Sequence, residues 1–362
     1  MDKMVTKGFS PDFFRRRKVL ITGHTGFKGS WLSILLHHLG ADVYGYSLEP
    51  PTEPSLFKLA GVDELVKTTI ADIRNHEKLL ETIRTIMPEI IIHMAAQPLV
   101  KESYRFPRET YEINVMGTIN LFEAVRQTGG VRAILNVTTD KCYENKEWPW
   151  GYREIEPLGG FDPYSNSKAC SELVTSAFRS SYFNPADYAE HGVAVASARA
   201  GNVIGGGDWA ADRLVPDFFR AIMKNEKVKI RSPYAIRPWQ HVLEPLTGYL
   251  ALCEKLCNEG PAFAEGWNFG ADELDVRNVE WVMKKICDLW GENAAFEIDK
   301  SPQPHEATYL RLDCSKAKSR LEWKPCWTVE KALEKTVEWS RAYFENKDLR
   351  QVCIQQISEY YK

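Results

Sequence analysis

The first half of the chain alternates short apolar, β-branched runs with stretches whose apolar positions recur three and four residues apart. The runs at 18–22, 42–46, 68–71, 89–93, 133–137 and 193–199 predict strands. The stretches at 30–39, 77–86, 107–127 and 164–183 predict helices, the second halted by Pro88. The run at 89–93 is apolar on both faces, as strands inside a parallel sheet are. Strands and helices in regular alternation imply an α/β fold, a Rossmann-like doubly wound parallel sheet.

After Gly201 the pattern changes. Gly205-Gly206-Gly207 and scattered proline and tryptophan mark long loops, with helical patterns at 216–224, 245–258 and 278–290. This reads as a smaller, mixed α/β C-terminal substrate domain. The expected division is an N-terminal extension at 1–17, a dinucleotide-binding domain at 18–200 and a mainly substrate-binding part at 201–362. The boundary is interleaved, because 267–269 reads as a strand that returns to the first sheet.

Composition adds exclusions more than assignments. The 362 residues are 44% hydrophobic and 26% charged, with a formal charge of −3, so there is no basic surplus calling for nucleic acid or an anionic membrane. No apolar run approaches the ~18–20 residues of a membrane span. Arg15-Arg16-Arg17-Lys18 precedes Val19-Leu20-Ile21 in the manner of a secretory signal. The apolar run breaks at once into Thr22-Gly23-His24, however, and reads as a basic extension entering a buried strand. Eight cysteines without paired spacing read as reduced thiols, which points to a cytoplasmic protein with neither disulfides nor a metal site.

Between the first strand and the first helix stands Gly23-His24-Thr25-Gly26-Phe27-Lys28-Gly29. Glycines at this spacing permit a tight turn and close approach of backbone to phosphate, and the helix N-terminus favours an anion. The loop is assigned to an NAD pyrophosphate. Lys28 is open to two readings, a phosphate partner or a solvated loop lysine. Where a ribose-binding carboxylate is usual, about 20 residues beyond the glycines, the chain has Ser47, with Glu49 following. This predicts weaker retention of NAD and weaker rejection of a 2′-phosphate. Asp72-Ile73 after the third strand suits adenine contacts, and Ala95-Ala96-Gln97 after the fourth offers small side chains where the cofactor passes.

Tyr164 and Lys168 are four residues apart at the start of a predicted helix and project from one face. A tyrosine of ordinary pKa ~10 is a poor base at neutral pH, and a nearby ammonium favours its phenolate. Thr139 ends a strand 25 residues earlier and can share a substrate oxygen with Tyr164. Asp140 and Lys141 follow it directly.

Taken together, Gly23–Gly29, Thr139-Asp140-Lys141, Tyr164–Lys168, Arg199-Ala200-Gly201-Asn202, Gly205-Gly206-Gly207-Asp208-Trp209 and Arg237-Pro238-Trp239-Gln240-His241 carry a resemblance. Nearly the whole chain resembles the extended short-chain dehydrogenases acting on nucleotide sugars, most closely the branch of CDP-glucose 4,6-dehydratases. In related dTDP- and GDP-sugar dehydratases the strand-end motif is Thr-Asp-Glu, and here Lys141 stands where Glu is expected.

The resemblance implies NAD-dependent conversion of CDP-glucose to CDP-4-keto-6-deoxyglucose, in deoxysugar biosynthesis of the O-antigen type. Tyr164, aided by Lys168 and Thr139, takes the 4-hydroxyl proton while hydride leaves C4. Water is then lost across C5–C6 with Asp140 as acid, and hydride returns to C6. Asp140 must be protonated to do this, which burial promotes. Lys141 serves as an uncharged base at C5, or stays charged and stabilises the enolate. At the substrate end the resemblance gives Asn202 to the sugar diphosphate. Arg213 and Arg237 are candidates for diphosphate or ribose, with Leu214, Val215, His241, Tyr309 and Glu306 beside them. The choice of cytosine rests on resemblance alone. The helices at 107–127 and 164–183 imply a homodimer, with a tetramer left open. A dTDP- or GDP-sugar dehydratase and a nucleotide-sugar 4-epimerase are the rival enzymes, and a non-enzymatic NAD-sensing protein is the rival of another class.

Overall fold

The computed structural model describes residues 8–272, 275–291, 294–299 and 309–362. At its centre a seven-stranded sheet is formed by β1 (Lys18–Thr22), β2 (Asp42–Ser47), β3 (Lys67–Ile70), β4 (Ile90–His93), β5 (Ala133–Val137), β6 (Ala194–Ala200) and β7 (Gly266–Phe269). Every neighbouring pair is parallel, in the order β7-β6-β5-β4-β1-β2-β3. The order reverses between β1 and β4, and a crevice opens there beyond the carboxyl ends of the strands, the usual place for a ligand in such a sheet.

Successive strand residues serve opposite faces. Val19 and Ile21 of β1 join one core, while Leu20 joins the other. The first face is covered by α1 (Phe27–His38), which carries Trp31, Leu32, Leu35 and Leu36. The second is covered by α2 (His76–Ile86), α4 (Gly117–Arg126) and α5 (Pro163–Ser181), through Leu79, Ile83, Phe122, Val125 and Phe178. Full burial of each such side chain is worth roughly 1.5–3 kcal/mol.

The predicted helix at 107–127 is helical throughout but not uniform. A π turn, Glu112–Met116, separates α3 (Pro107–Tyr111) from α4. The turn aims Asn114 at the loop after β4. Asn114 accepts from Gln97 N (2.8 Å) and donates to Gln97 O (3.1 Å) and Ser167 Oγ (2.8 Å).

Residues beyond 201 occupy two places. α6 (Leu214–Met223), α8 (Val279–Trp290) and α9 (Val329–Phe344) build a third core beyond the carboxyl ends of the sheet, around Phe218, Met283, Ile286 and Leu333. α7 (Leu243–Glu259) and α10 (Leu349–Tyr360) instead pack with α1 on the first face of the sheet. α10 is hard to see in the hydrophobic pattern because its buried side includes Gln356, whose Nε2 donates to Lys335 O (2.9 Å). All eight cysteines are free. Among the described residues no helix is long and apolar enough to cross a membrane, and no group of His, Cys, Asp and Glu is arranged to hold a metal.

Candidate active site

Two clefts meet beyond the carboxyl ends of β1, β4 and β5. The larger, about 420 Å³, runs from Asp72 and Ile73 past Ser47 and the glycine loop to Tyr164 and Lys168. The smaller, about 240 Å³, holds Thr139, Asp140, Lys141, Asn202, Val215 and Trp239. Phe27, Lys28, Pro98, Thr138, Tyr164 and Arg213 line both.

The larger cleft is shaped for a dinucleotide. α1 begins at Gly26 without any side chain capping it, so the amides of its first turn are available to an anion. Gly23 has φ +77°, and a Cβ at Gly29 would lie 2.3 Å from Gly23 O, so no side chain fits where the helix closes on the turn. At the end of β2, Ser47 Oγ lies 2.8 Å from Thr25 Oγ1, which donates to Leu48 O (2.9 Å), and Glu49 lines the cleft beyond. Asp72 is clamped by Arg74, which holds its carboxyl below the usual range. Ala95 and Ala96 line the wall, and these residues fit NAD.

At the junction, Tyr164 stands in the first turn of α5. Asp162 caps that turn by accepting from Ser165 N (3.0 Å) and Ser165 Oγ (2.6 Å). Burial pushes Tyr164 up to about 12, opposed by a hydrogen bond with Thr139 and by the charge of Arg213. Lys168 projects one turn on, but its Nζ donates to Val137 O (3.0 Å), and burial brings it down to about 8. The cation that bears on the phenol here is Arg213, which also pairs with Asp208 (2.9 Å).

Thr139 Oγ1 donates to Asp140 Oδ1 (3.0 Å) and accepts from Lys141 N (3.3 Å). Burial raises the carboxyl of Asp140, against Lys141, the Thr139 hydrogen bond, Arg237 and Lys28. Lys28 is not a solvated loop residue. Burial, Arg213 and Lys168 push its amine down to about 8, while Asp140 and Asp208 pull it back. Adjacency in sequence gave no sign that the glycine loop sends a lysine into the reaction centre.

Several residues assigned from sequence lie elsewhere. His24 turns under β2. Its ring sits where a Cβ on Gly45 would be, edge-on to Phe57, with Nε2 3.0 Å from Thr68 Oγ1, and burial lowers it to about 4. Gln97 spends its side chain within the protein, donating to Thr110 Oγ1 of α3 (3.0 Å) and accepting from Leu99 N (2.5 Å). His241 is buried between Trp31 and Trp327 and accepts from Leu243 N (3.3 Å). Leu214 packs against the third core. Tyr309 pairs with Ile236 and donates to Pro149 O (3.4 Å), away from both clefts. Arg237 donates to Ile236 O (3.0 Å) and lines neither cleft, though its charge reaches Asp140. Glu306 lies outside the described residues.

The arrangement can move a proton at Tyr164 and hold an acid at Asp140 around one bound sugar, beside a dinucleotide. Comparison with known proteins agrees with this geometry. Residues 20–336 match the family model of GDP-mannose 4,6 dehydratase. The chain is 54% identical to the CDP-glucose 4,6-dehydratase of Salmonella typhimurium, covering 96% of this chain and 97% of that protein. It is 26% identical to a probable dTDP-glucose 4,6-dehydratase of Sinorhizobium fredii, over 91% and 93%. In fold it resembles the dTDP-glucose 4,6-dehydratase DesIV of Streptomyces venezuelae, solved with NAD and TYD bound (TM-score 0.76, 24% identity, 92% of this chain and 99% of that one). It also resembles a UDP-glucose-4-epimerase of Stenotrophomonas maltophila solved with bound NAD (TM-score 0.80, 18% identity, 91% and 100%).

Proposed function

The chain belongs to the GDP-mannose 4,6-dehydratase family, and from that premise we propose that it is an NAD-dependent hydro-lyase converting CDP-glucose to CDP-4-keto-6-deoxyglucose. The observation that carries the reaction is Asp140, a buried carboxyl with raised pKa beside Tyr164 in the smaller cleft. A 4-epimerase needs no acid there. The choice of CDP-glucose follows the 54% identity to the Salmonella enzyme.

The larger cleft would hold NAD through Gly23, Gly26 and the start of α1 at the pyrophosphate, Ser47 and Glu49 at the ribose, and Asp72 and Ile73 at the adenine. Bound there, NAD supplies a reversible hydride acceptor for sugar C4 and donor for C6. Tyr164 takes the 4-hydroxyl proton, with Thr139 orienting the oxygen, Arg213 favouring the phenolate and Lys168 holding the strand end through Val137 O. The 4-ketone acidifies the C5 proton, which Lys141 takes if its amine is uncharged; a charged Lys141 instead stabilises the enolate. Asp140 gives its proton to the 6-hydroxyl as water leaves. Asn202 and Arg213 face the diphosphate, guanidinium matching phosphate oxygens bidentately.

The protein acts as a homodimer. Phe106, Met116, Phe161 and Leu173 stand exposed on or beside α3, α4 and α5, more apolar surface than a solvated face needs.

Incubation with CDP-, dTDP-, UDP- and GDP-sugars, each with and without added NAD, tests the assignment. Loss of one water from CDP-glucose alone is expected, with activity rising on addition of NAD because β2 ends in a hydroxyl. Recovery of a CDP-galactose-type epimer would replace the dehydratase reading with the epimerase one.

A further inference from the structure

Tyr164 and Lys168 belong to a longer stripe. Glu172 is one further turn along α5, on the same face, and its side chain is 3% exposed. The three side chains grip three successive residues at the end of β5. Lys168 donates to Val137 O, Thr138 Oγ1 donates to Glu172 Oε1 (2.5 Å), and Thr139 hydrogen-bonds Tyr164. The remaining valences of the carboxylate are filled by Ser197 Oγ on Oε2 (2.5 Å) and by Arg199, which donates Nε to Oε1 and Nη2 to Oε2, both at 3.0 Å. Arg199 in turn donates to Tyr143 Oη (2.7 Å) and Glu154 O (3.0 Å).

A buried ion pair is a poor way to gain stability, since apolar residues of similar volume commonly do as well. Its position beneath Thr139 and Asp140 suggests another use. We propose that Glu172 is a positioning residue for the reaction, locking the Thr138–Thr139 strand end against α5 and supplying the counter-charge to the ammonium of Lys168.

The surroundings of Lys168 leave that task to Glu172. Burial lowers Lys168, and Glu172 and Cys142 are the groups that oppose the shift. The thiol of Cys142 is itself pushed well up by burial and stays neutral, so the carboxylate is the charge that acts. From β4, His93 is brought down to about 3 and stays uncharged. From α1, Lys28 carries a like charge and is itself pushed down by Lys168. Without Glu172, Lys168 would lose its proton at a lower pH, and its hold on Val137 O at the strand end that carries Thr139 would weaken with it.

The inference rests on the roles proposed for Tyr164 and Lys168, and the experiment separates the two. Wild-type turnover of CDP-glucose tests those roles. The pH dependence of kcat/KM in Glu172→Gln then tests the inference, together with the ¹³C-lysine NMR titration of Lys168 in the protein without substrate, assigned with Lys168→Arg. The assignment matters because Lys28 titrates near the same pH, about 8. The expected result is an alkaline limb and a Lys168 titration both moved down by about one pH unit. The double variant Glu172→Gln/Arg199→Met leaves no unpaired guanidinium in the interior and should move both the same way if the single variant does not fold. Thr138→Val keeps both charges and should lower kcat while the limb stays in place. A folded Glu172 variant with unmoved Lys168 titration overturns the inference, as does a Thr138→Val limb displaced equally.

Discussion

Asp140 and Lys141 are neighbours in sequence for which opposite tasks are proposed, and their surroundings differ. Asp140 is held in the wall of the smaller cleft, where burial raises its carboxyl, while Lys141 is half-buried at the same cleft. Asp140→Asn keeps the shape but removes the transferable proton. Formation of the 6-deoxy product should fall about 10²–10⁴-fold, while a 4-keto sugar that still carries its 6-hydroxyl can be trapped with borohydride. Normal product yield with no trapped intermediate would remove Asp140 from the acid role. For the wild type, the elimination step, followed as loss of the 6-hydroxyl in a single turnover, should weaken as pH rises and Asp140 loses its proton. This decline is separate from the Lys168-linked limb of kcat/KM.

At the scale of elements, α5 carries most of the chemistry and depends on its first turn. Pro163 occupies the first helical position, where no backbone donor is lost, and Asp162 caps the amide of Ser165. Asp162→Ala should cost about 1 kcal/mol in denaturant unfolding. It should lower kcat as well, because the first turn holds Tyr164, and an unchanged kcat would show that the turn is fixed by packing alone. The outer face of the same helix carries Leu173, 57% exposed. If the proposed dimer pairs through this face, light scattering should give a dimeric mass for the wild type and a monomeric mass for Leu173→Glu.

At the scale of the whole molecule, three histidines are built into the interior uncharged. Burial brings His24 to about 4 and His93 and His241 to about 3. His93 accepts from Thr22 Oγ1 (2.7 Å), because that hydroxyl already receives the amides of Met94 and Ala95. Below pH ~6.5 the unfolded chain binds three protons that the folded chain refuses until about pH 4 or lower. Stability is therefore complete above that pH and falls as acid is added. The three together should cost about 4 kcal/mol at pH 5.5, read as the difference in unfolding free energy from pH 7.5. Equal values at the two pH conditions would mean that these rings are protonated in the fold.

The sequence by itself determined the alternation of strands and helices and the parallel sheet it builds, because apolar β-branched runs joined by helices are buried on both faces. It also determined the glycine turn and the shared face of Tyr164 and Lys168, since both are set by backbone geometry within a few residues. Tertiary structure decided where side chains on loops and strand ends point. His24, Gln97 and His241 have the chemistry of ligand contacts, yet each is turned toward a buried side chain of another segment, Phe57, Thr110 and Trp31 respectively. Lys28 goes the other way, from a loop to the reaction centre. The Glu172–Arg199 pair joins a helix to a strand 27 residues later, and no local periodicity records it. Hydrophobic pattern reports which face is buried, whereas the partner of a buried polar group is settled only when distant segments pack together and each must satisfy its hydrogen bonds out of reach of water.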